Sequence, residues 1–184
     1  MIYLIGGASR SGKSIVAREL LKRNGIPYFS MDVLMMGLHV GYPQLGIGPD
    51  VSDPVVTRRL WPIVHGLALN LLETEAAYAI EGVYLSPQHI ATLEKSHPAQ
   101  VRGVFIGYST ISPTTKLLHI RAASHLPNDW LSAQPDAEIL ALVQRNIRRS
   151  RTARTACARL GIKYVDTSRD FAGRIESAIE WLPI

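Results

Sequence analysis

Residues 7–14 read Gly-Ala-Ser-Arg-Ser-Gly-Lys-Ser and satisfy G-x-x-x-x-G-K-[ST] at every fixed position. The apolar run Tyr3-Leu4-Ile5 precedes them. An amphipathic stretch from Lys13 to Arg23 follows, with Val16, Leu20 and Leu21 on one side and Asn24-Gly25 as its stop. A strand that enters a glycine loop and leaves as a helix leaves few alternatives. Gly7 and Gly12 let the backbone curl, so that the N–H groups of Ala8, Ser9, Arg10 and Ser11 converge where the helix presents its positive dipole end. Such a cradle takes phosphate. Lys13 then neutralises charge between the terminal phosphates of a nucleotide, and the Ser14 hydroxyl is placed to coordinate Mg²⁺.

The rest of the chain keeps the alternation of strand and helix. Pro27-Tyr28-Phe29-Ser30 reads as a second strand ending at Asp32, at a spacing that suits a right-handed parallel crossover. Gly41, Pro43, Gly46, Gly48 and Pro49 break residues 37–53 into a predicted mobile loop. Asp53-Pro54 predicts a cap and a first-turn proline for a helix running to about Glu75 and bending near Pro62. A third strand is expected at Tyr78 to Glu81, and Ser86-Pro87 opens a helix to about Lys95. The fourth strand spans Val101 to Gly107, and Ser112-Pro113 starts a helix to about Ala123. A long helix is expected from about Pro135 to Arg159, then a strand at Lys163-Tyr164-Val165. In the final helix Phe171, Ile175, Ala178, Ile179 and Leu182 share one face. This order predicts an α/β domain with a parallel sheet covered on both faces.

Composition narrows the function classes. A chain of 184 residues with 47% hydrophobic and 19% charged residues supports one core and excludes global disorder. Its longest apolar stretch, Ile63 to Leu72, is interrupted by His65, Gly66 and Asn70 and is too short to span a bilayer. Met1 to Ile5 lacks the flanks of a signal peptide, so a cytoplasmic location is the expectation. The lone Cys157 excludes an internal disulfide framework and any CxxC metal site, and the histidines show no ligand spacing. The formal net charge of +5 is a local property, because Arg145, Arg148, Arg149, Arg151, Arg154 and Arg159 fall in one stretch without an acid. Without aromatic interleaving or a recognisable module, that stretch argues against nucleic acid as the partner.

The chain resembles the P-loop kinases of the nucleotide and small-molecule kinase type, a group that includes adenylate kinase, shikimate kinase and chloramphenicol phosphotransferase. The resemblance rests on IGGASRSGKS, on Asp32 after the second strand, on AIEGVYLSP after the third, on the arginine helix and on IKYVDTS. The AIEGV stretch is most similar to 2-phosphoglycerate kinase-like proteins. The resemblance implies a single three-layer P-loop NTPase domain over residues 1–184. Its five-stranded parallel sheet would have order 2-3-1-4-5, with a mobile substrate region at about 37–60 and a helical lid at about 124–152. It also implies ATP and Mg²⁺ as cofactors.

Individual positions carry two readings each. Asp32, at the carboxyl edge of the sheet, suits a base for a substrate hydroxyl or a ligand to Mg²⁺ through water; it also suits a helix cap. Glu81 closes its apolar strand as an acidic metal-side or substrate residue does, or simply leaves the core there. Arg145, Arg148 and Arg149 share a helix face and would close together over the triphosphate, as lid arginines do in similar kinases; the alternative is a solvated basic face. Arg58 and Arg59 lie where family members bind the acceptor, or they are two exposed helix arginines. Asp166 and Thr167 match the family's adenine-side loop, or cap the last helix. Trp61, Met35 and Met36 read as core or pocket lining. The function expected is γ-phosphoryl transfer from ATP to a small-molecule or nucleotide acceptor, with Lys13, Asp32 and Arg149 as the catalytic set. A nucleotide-dependent regulatory module with slow hydrolysis, or nucleic-acid binding by the arginine helix, stands as the alternative. Acceptor identity and oligomeric state are not written in these motifs.

Overall fold

Five apolar runs form one parallel sheet whose strands, counted along the chain, lie in the order 2-3-1-4-5, as the resemblance implies. The structure is a computed structural model that describes residues 1–74, 77–124, 129 and 131–182. The expected helix end at Glu75, and residues 125–128 and 130 of the expected lid, lie outside the described residues. Strand β1 (Ile2–Gly7) is central and buried along its whole length. Beside it lie β3 (Tyr78–Gly82) and β4 (Val101–Gly107), with β2 (Tyr28–Ser30) and β5 (Lys163–Asp166) at the edges. Continuous apolar runs, rather than alternating ones, are what a sheet covered on both faces requires.

Helices α1 (Lys13–Asn24) and α7 (Phe171–Trp181) cover one face. Val16, Leu20, Ile175 and Ile179 pack there against Tyr3, Ile5, Val104, Ile106 and Val165. The opposite face carries α3 (Asp53–Glu73), α4 (Pro87–Ser96) and the second half of α6 (Asp136–Leu160), over Ile2, Leu4, Ile80 and Phe105. Each fully buried Leu, Ile or Phe of these layers contributes about 1.5–3 kcal/mol of transfer free energy. The first half of α6 instead packs Ile139, Val143 and Ile147 on α5 (Pro113–Ala122), through Leu117 and Ile120.

The expected helix starts at Ser86-Pro87 and Ser112-Pro113 are present, each serine accepting a bond from the backbone N–H three residues on. Asp53 departs from its expected place. Ser52 occupies the cap and Asp53 is the first helical residue, while α3 runs unbroken through Pro62. The predicted loop at 37–53 is also more ordered in outline. Gly37 and Gly41 belong to α2 (Met31–Gly41), and a 3₁₀ turn covers Pro43–Leu45. A helix-interior glycine costs only about 1 kcal/mol, and burial of Met31 and Met35 offsets it. Beyond the turn, His39 Nδ1 bonds to the Ile47 carbonyl at 2.7 Å, and Arg59 Nη1 donates to the Gly46 carbonyl at 2.5 Å.

Parallel register brings the strand ends to one rim. Ser30 and Ile5 both lie opposite Glu81, and Gly107 lies opposite Asp166. Open α/β sheets bind ligands outside this carboxyl edge, where the strand order reverses.

Candidate functional site

The loop between β1 and α1 is shaped by contacts that exclude a side chain at its glycines. A Cβ on Gly7 would overlap the Ile106 carbonyl oxygen, and one on Gly12 would overlap Ile175 Cδ1. Gly12, at φ 107°, is the N-cap of α1, and its carbonyl accepts from Ile15 and Val16. Arg10 adopts a left-handed φ of 60°, uncommon for a side-chain-bearing residue. Three neighbours hold the loop from behind. Tyr108 Oη donates to the Ser9 carbonyl at 2.9 Å, Lys116 Nζ to the Arg10 carbonyl at 2.8 Å, and Thr167 Oγ1 to the Ser11 carbonyl at 3.4 Å. With several carbonyls tied from behind, the loop's curvature is fixed. The Arg10 guanidinium pairs outward with Asp129. The Ser11 hydroxyl is buried with no partner among the described residues.

At the mouth of the loop, Lys13 is 6% exposed and donates to the Ala8 carbonyl at 2.8 Å. Burial depresses its pKa below the ordinary lysine value, Glu81 and Asp32 push it back up, and Arg149 adds to the depression. These four side chains therefore share one electrostatic neighbourhood. The Ser14 hydroxyl donates to Glu81 Oε1 at 3.2 Å, and Glu81 itself is buried. Gly82, next to it, leaves no room for a Cβ because Met31 packs on it.

Asp32 is not the cap of α2. Ser30 fills that place and accepts from the Asp32 N–H at 3.2 Å, which leaves the carboxylate uncommitted. The residue keeps solvent contact, yet the protein around the cleft raises its carboxyl pKa by loss of hydration; Lys13 opposes the rise, and Glu81 and Asp53 add to it. Tyr84 completes the wall, pushed up to about 12 by burial, with Asp32 and Asp53 raising it and Arg149 lowering it.

Of the arginines expected to act together, Arg149 alone joins this group. Its Nη1 donates to Asp53 Oδ2 at 2.7 Å and its Nη2 to the Val83 carbonyl. Arg148 is exposed, and Arg145 lines a separate depression beside Leu131 and Glu138. The buried face of α6 through Ile139, Val143, Asn146, Ile147 and Ser150 fixes the helix rotation, and at 100° per residue it turns Arg149 inward and Arg148 out. Arg59 is committed to the Gly46 carbonyl, and Arg58 is exposed and, among the described residues, has no bond to the cleft. Asp166 and Thr167 do not cap the last helix, since Asp170 does so through the Gly173 N–H. Burial works to raise the Asp166 carboxyl, but hydrogen bonds from Ser109 and Ser168 outweigh it and hold the pKa low.

Trp61 stacks on His89 at 3.9 Å between ring centroids and joins α3 to α4, a packing role; burial lowers the His89 pKa to about 4. Sequence reasoning passed over Tyr108, Lys116 and Asp53. The first two follow a strand as ordinary helix-entry residues, and Asp53 looked like a cap. Only the tertiary fold brings Tyr108 and Lys116 to the loop and Asp53 to Arg149.

The arrangement offers a phosphate cradle, an ammonium at its mouth, a hydroxyl and carboxylate pair of hard oxygen donors, and a second carboxylate across the cleft. Mg²⁺ takes few protein oxygens and keeps water and phosphate as its other ligands, so Ser14 with Glu81 fits it. Among the described residues, no cluster of three or more His, Cys, Asp or Glu side chains could hold a metal on its own.

No family model matches this sequence, and no curated protein matches it. Solved structures do. A gluconokinase from Sinorhizobium meliloti 1021 shares 19% identity over 97% of this chain and 89% of its own, with a TM-score of 0.56. A shikimate kinase from Bacteroides thetaiotaomicron shares 13% identity over 98% of this chain and 94% of its own, at 0.57. A sugar kinase from Janibacter sp. HTCC2649 shares 15% identity over 98% and 92%, at 0.55. At these identities the likeness speaks for the fold.

Proposed function

We propose that this chain, which has the fold of the P-loop small-molecule kinases, transfers the γ-phosphoryl group of ATP to a hydroxyl of a small acceptor. The observation that carries the reading is the convergence of Lys13, Asp32, Glu81 and Arg149 in one field at the mouth of a rigidly backed phosphate loop. Backbone N–H groups of residues 9, 10, 12 and 13 and the α1 dipole would hold the triphosphate, since those of Ala8 and Ser11 are bonded to the Ile106 and Ala8 carbonyls, and the Lys13 ammonium would offset charge on its terminal groups. Ser14 and Glu81 would hold Mg²⁺, which when bound neutralises charge on the phosphates.

The acceptor would lie between Asp32 and Arg149, bounded by Tyr84. Asp32 takes the hydroxyl proton as the acceptor oxygen bonds to the γ-phosphorus and the bond to the β-phosphate oxygen breaks, giving ADP and a phosphorylated acceptor. Arg149, held by Asp53 and the Val83 carbonyl, supplies a fixed guanidinium to an anionic group of the acceptor or to the transferring phosphoryl.

An ADP-release assay with Mg·ATP against sugars, sugar acids, nucleosides and nucleotides tests the reading. ADP formation that depends on one acceptor class, and is lost in Lys13→Ala with the fold retained, supports it. Slow ADP formation independent of every acceptor would replace it with the regulatory reading.

A further inference from the structure

Away from the phosphate loop, the outer edge of β5 combines three properties. It is an edge strand, paired with β4 alone. The Thr167 N–H bonds inward to the Gly107 carbonyl at 2.7 Å. Main-chain groups along a parallel strand turn inward at alternate residues, so those of Tyr164 and Asp166 turn outward. A cavity of about 470 Å³ runs along this edge, and all four β5 residues line it. The groove is also strongly positive. Arg154 reaches it from α6, on one face of the sheet, and Arg174 from α7, on the other, with Lys163 and Arg169 between. Among the described residues, none of these four cations is in an ion pair. The one carboxylate on the wall, Asp166, is occupied by Ser109 and Ser168.

Exposed edges invite strand pairing, and basic side chains along an edge oppose pairing with a like edge. A second copy of this chain would bring the same four cations against themselves. The same charges attract a strand of opposite sign. We propose that the outer edge of β5 docks an extended acidic segment of a partner protein, which adds as a sixth strand and directs carboxylates toward Arg154 on one face and Arg174 on the other. Successive residues of a strand point to opposite faces, so a segment with consecutive acids meets both arginines. Backbone pairing sets its direction, and the cations select its charge.

The test uses a short fluorescein-labelled peptide of repeating Glu-Glu-Val, followed by anisotropy at about 0.1 M salt, where charge attraction is screened beyond roughly 10 Å. Saturable binding is expected, with shifts in the Tyr164 and Asp166 amide resonances. The double variant Arg154→Glu/Arg174→Glu should weaken it at least tenfold, or about 1.4 kcal/mol, and so should backbone N-methylation of the peptide. The unfolding midpoint reports whether the variant is folded; if it is not, Arg169→Glu in the exposed loop serves instead. Equal binding of the N-methylated peptide, or of the charge-reversed protein, overturns the proposal. Displacement of the peptide by a single-stranded oligonucleotide that binds more tightly through the same arginines would overturn it in favour of nucleic acid.

Discussion

Asp32 is where function and stability pull in opposite directions. Its carboxyl loses hydration at the cleft, which raises its pKa, and Lys13 corrects this only in part. For an acid with a raised native pKa, the native state holds its proton to higher pH than the unfolded chain does. Stability therefore falls as pH rises from the ordinary carboxylate value through the raised one. Asp32→Asn should leave the unfolding midpoint at pH 7.5 unchanged or higher, with the difference vanishing near pH 4. Turnover should fall about 10²–10⁴-fold if Asp32 is the base, and in the wild type it should drop on the acid side at a pH above the usual carboxylate range. Thermal melts and a kcat profile across pH check both halves. The sequence placed Asp32 beside the loop correctly but left it two roles. Ser30, the last residue of β2, takes the cap and removes the cap reading of Asp32.

At the scale of elements, local chemistry was legible and shared chemistry was not. Apolar runs marked the strands, Ser-Pro pairs marked two helix starts, and Gly25 and Gly161 marked helix ends as left-handed caps at φ 68° and 73°. All of these depend on residues within one turn of each other. Within the segment at 37–53, residues 37–41 and 43–45 form helical turns that the glycines and prolines hid, because α2 is held by the burial of Met31 and Met35 and the chain beyond it by the His39 and Arg59 bonds. Lys116 is a further case. It looks like a solvent-facing residue of α5, yet it is 5% exposed, bonds the Arg10 carbonyl and lies 4.3 Å from the Tyr108 ring centroid. Burial, helped by Arg10 and Lys13, lowers its pKa to about 8. Between that value and the ordinary one the unfolded chain binds more protons than the native state, so stability rises with pH, at most by about 1.4 kcal/mol per unit. Lys116→Met keeps the volume and removes the titration. The stability of the wild type relative to this variant should increase from pH 7.5 to 9.5 in denaturant unfolding; a constant difference would show that Lys116 is not desolvated in solution. The variant should also bind Mg·ATP several-fold more weakly, because the left-handed Arg10 loses its brace.

For the whole molecule, the cleft is assembled from parts that are far apart in sequence. Arg149 on α6, Asp53 at the start of α3 and the Val83 carbonyl after β3 close one corner, at 2.7 Å for the ion pair. The pair is half-exposed and contributes about 1 kcal/mol or less to stability. Asp53→Asn should therefore leave the unfolding midpoint nearly unchanged while raising the acceptor KM more than it lowers kcat, since Arg149 loses the partner that orients it. The phosphate loop gathers β1, β4, α1, α5 and the β5–α7 connection, through Ile106, Tyr108, Lys116 and Thr167. A ligand seated there would bear on a loop braced by several elements of the fold, so its binding energy should appear in global unfolding and not only in the loop. At a hundredfold excess over Kd, Mg·ATP would add about 2.7 kcal/mol to native stability. At about 2–4 °C per kcal/mol for a chain of this size, the midpoint should rise by roughly 5–10 °C. Lys13→Ala should abolish most of that shift; without nucleotide it should melt somewhat below the wild type, because buried Glu81 loses a nearby opposite charge and the Ala8 carbonyl its donor. An equal shift in wild type and variant would place the nucleotide elsewhere on the surface and remove the basis of the kinase reading.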